Sequence, residues 1–204
     1  MAKRSRWQQR QEADPYVAEA RRAGYRSRAA FKLKQLDERD RFLKPGAVVV
    51  DLGAAPGGWT QVAVERVGDR GRVVAIDRLA MDPVPGAEFL QADFATDEGL
   101  EELRHLLAGD EVDVVLSDMA PELSGIKVAD QARGMELCEL AVEFAREVLK
   151  PGGTLVMKAF QGEGFDELLK GLRAEYAKAA GRKPDASRGE SAEQYLVAQG
   201  FRGN

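Results

Sequence analysis

Apolar residues in this chain gather into short runs that each end on a charge. The runs are Val48-Val49-Val50-Asp51, Val73-Val74-Ala75-Ile76-Asp77, Phe89-Leu90-Gln91-Ala92-Asp93, Val114-Val115-Leu116-Ser117-Asp118 and Leu155-Val156-Met157-Lys158. Continuous apolar runs of this length read as strands covered on both faces. Between them, helical spacing predicts helices over 27–41, 57–67, 97–108, 128–150 and 164–176. Turn signals at Gly68-Asp69-Arg70-Gly71, Pro83-Val84-Pro85-Gly86 and Pro151-Gly152-Gly153 separate these elements. Strands alternating with helices predict an α/β fold, Rossmann-like, with a mostly parallel sheet and helices on both faces. Near the end, Glu193-Gln194-Tyr195-Leu196-Val197-Ala198 alternates like a strand with no helix before it, which predicts an antiparallel strand reached through a hairpin. Its start then lies beside the other strands' ends.

Four carboxylates, one lysine and Glu193 therefore line one edge of the predicted sheet. In an open α/β sheet, ligands bind at the carboxyl ends of the strands, beside the topological switch point. The strand ends mark the candidate site.

The loop Asp51-Leu52-Gly53-Ala54-Ala55-Pro56-Gly57-Gly58-Trp59 follows the first strand and opens a helix, where small residues let a ligand approach the backbone. It is not a Walker A loop, because Trp59 stands where the phosphate-binding lysine belongs. It also fails the dinucleotide fingerprint, since Ala55 replaces the middle glycine that admits a pyrophosphate. Asp77, 24 residues past Gly53, is placed to accept both hydroxyls of an adenosine ribose, and Asp93 to accept from the adenine amine. A nucleoside without a pyrophosphate is the expected ligand, and S-adenosylmethionine is the leading candidate.

Lys32 falls on the apolar stripe of Ala29, Leu33 and Leu36, and Lys158 ends an apolar strand. A lysine in such a place commonly snorkels. If both reach the same edge, like charge and desolvation both favour a neutral amine, the form that takes a proton from a sugar hydroxyl.

Tyr25-Arg26-Ser27-Arg28-Ala29-Ala30-Phe31-Lys32-Leu33, the glycine loop, Ser117-Asp118-Met119-Ala120-Pro121, Lys158-Ala159-Phe160-Gln161-Gly162 and Glu193-Gln194-Tyr195 together resemble the FtsJ (RlmE) family of ribosomal RNA 2′-O-ribose methyltransferases. The resemblance runs from about Tyr16 to Gly200. It implies the S-adenosylmethionine-dependent methyltransferase fold, with a mostly parallel seven-stranded sheet and one antiparallel strand. It also implies a catalytic tetrad at Lys32, Asp118, Lys158 and Glu193, with Lys158 as general base, and cofactor contacts at Gly57, Trp59, Asp77, Asp93 and Asp118. The implied substrate is an A-loop uridine of large-subunit ribosomal RNA within the assembled subunit. Ala192 stands where the family commonly has Arg, and Glu190 adds an anion nearby.

Composition adjusts this picture. Residues 1–46 hold 13 Lys and Arg against 6 Asp and Glu, whereas the remainder holds 17 against 28, so a chain of net charge -4 begins with a basic fifth. Trp7, Tyr16, Tyr25 and Phe31 lie among those arginines, which suits phosphate contact with base stacking; the alternative is aromatics that only pack on the domain. The expected organisation is a basic arm over 1–24 and one methyltransferase domain over 25–204. Candidate RNA-binding residues are Arg26, Arg28, Arg182, Lys183 and Arg188. One cysteine, Cys138, and one histidine, His105, argue against a disulfide, a metal site or a Ser-His-Asp triad. No apolar stretch has membrane-crossing length and the first residues lack a signal core, so a cytoplasmic, membrane-free and monomeric protein is expected. The 122–134 segment is a surface connection or a lid over substrate.

Overall fold

The protein is described by a computed structural model covering residues 14–203. Its elements run α1 (Pro15–Ala23), α2 (Ala29–Asp40), β1 (Val48–Leu52), α3 (Gly58–Val67), β2 (Arg72–Asp77), β3 (Ala87–Gln91), α4 (Asp97–Leu107), β4 (Val112–Ser117), α5 (Lys127–Val148), β5 (Leu149–Phe160), α6 (Phe165–Glu175), β6 (Tyr176–Arg182) and β7 (Glu193–Phe201). The seven strands form one sheet in the order β3-β2-β1-β4-β5-β7-β6. Only β7 is antiparallel to its neighbours, β5 and β6.

Side chains alternate between two cores along every central strand, which is why the runs are continuously apolar. Val49, Val73, Val114, Leu116, Val156, Tyr195 and Val197 pack against the helices α1, α2 and α3. Val50, Val74, Ile76, Val115, Leu155, Met157 and Leu196 belong to the core under α4, α5 and α6. Helix ends follow local chemistry. Thr96 Oγ1 caps α4 by accepting from the Gly99 amide at 3.1 Å, with Asp97 and Glu98 in the first turn and Arg104 and His105 in the last.

Three features depart from the sequence-based expectation. Within the expected arm, Asp14 caps and Pro15 opens a packed helix, α1, that ends on Gly24 in the left-handed region; Trp7 lies outside the described residues. The fourth predicted helix stops at Val148 because Leu149 already pairs with Val112 as part of β5. Tyr176, expected at the end of the last helix, instead starts β6, paired with Phe201. β6 was invisible in the sequence because Tyr-Ala-Lys-Ala-Ala-Gly-Arg has no apolar run; its Lys178 and Arg182 suit an outermost strand. Among the described residues, no helix is long and apolar enough to cross a membrane.

Candidate active site

The sheet order reverses between β1 and β4, and a cleft opens there. The Asp118 amide donates to Leu52 O at 3.3 Å, tying the two strand ends together. Gly53 turns the chain with φ of 74°, and a Cβ there would meet Met119 Cγ at 2.6 Å. Only glycine satisfies both the backbone and the close approach. The cleft encloses about 530 Å³ and is lined by Gly53, Asp77, Asp93, Phe94, Asp118 and Met119, among others. Asp77 Oδ2 accepts from the Ala55 amide at 2.9 Å and Oδ1 from the Leu79 amide at 2.8 Å, so the glycine loop is held to the end of β2. Asp93 Oδ1 accepts from the Ala95 amide at 2.9 Å.

Carboxylates outnumber cations around this cleft: Asp77, Asp93, Asp118, Glu122 and Glu136 face only Arg78 and Arg133, and Arg78 is paired with Glu122. Such a lining favours a cationic nucleoside and opposes a pyrophosphate. Gly57 and Trp59 lie on the loop and the first turn of α3. The Trp59 indole is buried, donates from Nε1 to Ala29 O at 2.9 Å and packs on Tyr195 with centroids 5.6 Å apart. Its side chain thus fastens α2 and β7 to the loop rather than lining the cleft.

A groove of about 640 Å³ between α5 and α6 is larger, with Met135, Val142, Leu168 and Leu172 in its wall and Glu139, Glu163 and Glu167 around it. None of the charged strand ends reaches it.

Asp51 does not face the cleft. It is fully buried beneath the glycine loop, where its Oδ2 accepts from Thr60 Oγ1 at 2.7 Å. Burial pushes its carboxyl up to about 7, and Asp118 and Asp77 push the same way.

Lys32, Asp118, Lys158 and Glu193 do converge, as two linked ion pairs. Lys32 Nζ stands 2.6 Å from Glu193 Oε1, and Lys158 Nζ stands 3.1 Å from Asp118 Oδ1 and 2.7 Å from Asp118 O. The Lys32 and Lys158 side chains retain 12% and 9% of their exposure, so both ammoniums sit in a largely dry recess. Spacing left open whether the two lysines reach one edge; the structure brings them there, each with its own carboxylate.

Burial pushes the Glu193 carboxyl up, but the Lys32 ammonium, the Ser187 hydroxyl at 2.9 Å and the Lys158 ammonium outweigh it, leaving Glu193 below the usual range. Two residues that sequence reasoning passed over complete the cluster. Ser187 comes from the loop before β7, a position no periodicity marks. Tyr195, although part of the matched Glu193-Gln194-Tyr195 motif, had no role assigned; its hydroxyl donates to Asp118 Oδ1 at 3.0 Å.

The expected RNA-contacting cations divide. Arg26 spends its guanidinium on the carbonyls of Pro56, Asp82 and Pro83. Arg28 pairs with Asp14 and donates to Ala186 O, and burial followed by the nearby Arg188 lowers its affinity for its proton. Arg182 forms a two-pronged pair with Asp40, at 2.7 and 2.8 Å. Lys183 and Arg188 remain exposed, although Lys183 Nζ donates to Gly189 O and Ser191 O. Tyr16 and Tyr25 each pack on Phe31, with centroids 5.7 Å apart in both pairs. Cys138 is buried in the core stripe, its thiol pushed up to about 11 by burial, and His105 is exposed.

An open sheet with an anionic cleft at its switch point, flanked by a buried lysine–carboxylate array, suits a methyltransferase. The FtsJ-like methyltransferase family model matches residues 25–201, and the chain belongs to that family. It is 57% identical over 196 residues to the ribosomal RNA large subunit methyltransferase E of Azoarcus sp. (strain BH72), covering 96% of both chains. It is 52% identical over 198 residues to the protein of that name from Pseudomonas aeruginosa (strain PAO1), covering 97% of this chain and 96% of that one. A crystal structure described as a ribosomal RNA methyltransferase from Plasmodium falciparum superposes with a TM-score of 0.77 at 32% identity, covering 88% of this chain and all of the other.

Proposed function

We propose that this protein methylates a ribose 2′-hydroxyl in large-subunit ribosomal RNA, at an A-loop uridine of the assembled subunit, in the cytoplasm, with S-adenosylmethionine as donor and Lys158 as general base. The observation that carries this reading is the double membership of Asp118. It lines the nucleoside cleft and also holds Lys158, so a donor in the cleft and a hydroxyl at Lys158 are brought within one residue of each other. Asp77 and Asp93 would hold the ribose and adenine, and the small residues Gly53 and Ala55 would admit the amino-acid portion. When bound, S-adenosylmethionine supplies a methyl carbon whose bond to a cationic sulfur breaks with the electron pair remaining on sulfur.

The chain's own task is to place and deprotonate the hydroxyl. Lys158 Nζ takes the proton, Asp118 fixes the direction of that amine, and Lys32 with Glu193 bounds the ribose recess. Lys183 and Arg188, with the basic N-terminal arm, supply phosphate contacts, while Arg26, Arg28 and Arg182 shape the surface that bears them.

The test is Lys158→Arg, which keeps a cation beside Asp118 but cannot release its proton at working pH. Methyl transfer to large ribosomal subunits is expected to fall by about 10²–10⁴-fold, with S-adenosylmethionine affinity retained. A variant that still turns over at the native rate removes Lys158 from the role of base. Alkali-resistant linkages in the native enzyme's product establish the ribose as acceptor, and a base-methylated product refutes it.

A further inference from the structure

Asp118 Oδ1 is claimed by two donors at once. Lys158 Nζ lies 3.1 Å from it, and the Tyr195 hydroxyl donates to it at 3.0 Å. Tyr195 also carries Lys32, whose Nζ sits 5.6 Å from the centre of its ring. The phenol is fully buried, with Trp59 against its ring, and therefore has no open path to substrate. Register explains the placement: Tyr195 pairs with Lys158 across β7 and β5, while Glu193 pairs with Phe160. Tyr195 and Glu193 share one face of β7, so a single strand edge delivers the tyrosine to one ion pair and the glutamate to the other.

We propose that Tyr195 is a positioning residue of the methyl-transfer site: its hydroxyl shares Asp118 Oδ1 with the Lys158 ammonium and its ring holds Lys32, coupling the two ion pairs. The inference rests on the reading of Lys158 as the base. A carboxylate oxygen that already accepts from a neutral phenol holds an ammonium less strongly, because its lone-pair density is divided. The shared oxygen keeps Lys158 in place yet eases the loss of its proton.

The charges of this cluster reach every element packed on it: Asp118 acts on the buried Asp51 of β1, Lys158 on the Cys138 thiol of α5, Lys32 of α2 and Lys158 on Glu193, and Glu193 on Arg28 just before α2. Burial, followed by the Asp118 and Glu193 carboxylates, pushes the phenol far above its ordinary range. It stays a proton donor at every working pH, so Tyr195 is not itself the base.

Tyr195→Phe in the full chain removes the hydroxyl and keeps the ring. With S-adenosylmethionine and unmodified large ribosomal subunits, kcat is expected to fall about tenfold while KM for both stays within about twofold. The rising limb of the pH–kcat profile should move to higher pH, because Asp118 then holds the Lys158 proton alone. Replacing Tyr195 by 3-fluorotyrosine, a stronger donor that preserves the fold, should move that limb to lower pH. In the Asp118→Asn background the Phe substitution should cost nothing further.

A Phe variant with native kcat and native pH profile overturns the inference. So does a limb that moves the same way for Phe and fluorotyrosine, or a double variant that loses the full product of the single losses. Should Lys158→Arg remain active, the base assignment fails by itself; an inactive Lys158→Arg with an unaltered Tyr195→Phe sinks only the role of the tyrosine.

Discussion

Asp51 shows how one buried group couples stability to pH. Its folded carboxyl sits at about 7, above its unfolded value near ~3.9, because burial outweighs the Thr60 hydrogen bond. A raised acid makes ionisation costly in the folded state. The cost is absent below the unfolded value, grows between about pH 4 and 7, and is complete above the folded value. Asp51→Asn removes the titration and keeps the volume. Its melting temperature is therefore expected to gain on that of the native protein as pH rises from 5 to 8, by an amount equivalent to a few kcal/mol. A difference that stays flat across that range would show that the folded Asp51 carboxyl is already ionised at pH 5, as it is in the unfolded chain.

The element scale explains why the charges of the site share a face. Strand side chains alternate, so residues an even number of positions apart project together. Asp51 follows the parity of Val49, Asp77 that of Val73, Asp118 that of Leu116, Lys158 that of Val156, and Glu193 that of Tyr195 and Val197; those apolar residues all face α2 and α3. Lys32 meets them from α2, where Ala30, Leu33 and Leu36 bury the rest of the helix face. That parity was legible in the sequence.

The fate of the arginines was not, because an unpaired and a paired arginine look alike in a sequence. Arg182 on β6 closes on Asp40 at the end of α2, and the Asp40 side chain is 2% exposed. The Arg182 hydrogen bonds hold the Asp40 carboxyl below its usual range. Arg182→Ala leaves a buried carboxylate with only the exposed Lys178 at 3.5 Å, and should cost about 3 kcal/mol in urea denaturation. RNA affinity should fall far less than for the exposed Arg188→Ala, measured by filter binding. Equal losses of affinity would return Arg182 to the RNA surface.

At the scale of the whole molecule, the cleft is a junction of four strand ends whose combined charge selects its occupant. S-adenosylmethionine at about 100 times its Kd should stabilise the fold by about 2.7 kcal/mol, a rise in Tm of roughly 5–10 °C for a chain of this size. NAD, with its pyrophosphate, should leave Tm unchanged. A larger shift with NAD in differential scanning fluorimetry would contradict the electrostatic reading of the lining.

The sequence by itself determined six of the seven strands, the helices α2 to α6, the glycine loop and the edge on which the charged strand ends gather, because periodicity and strand-end chemistry are written in neighbouring residues. Tertiary structure alone decided which residues form β6 and that β7 lies between it and β5. It also decided that Tyr195 and Ser187 join the two ion pairs, and that Arg26, Arg28 and Arg182 are spent inside the fold. Most of those outcomes depend on which donor meets which acceptor far along the chain, from 30 residues for Arg26 and Pro56 to 161 for Lys32 and Glu193. Pairings at such separations are chosen by packing and desolvation of the whole chain, not by any local pattern.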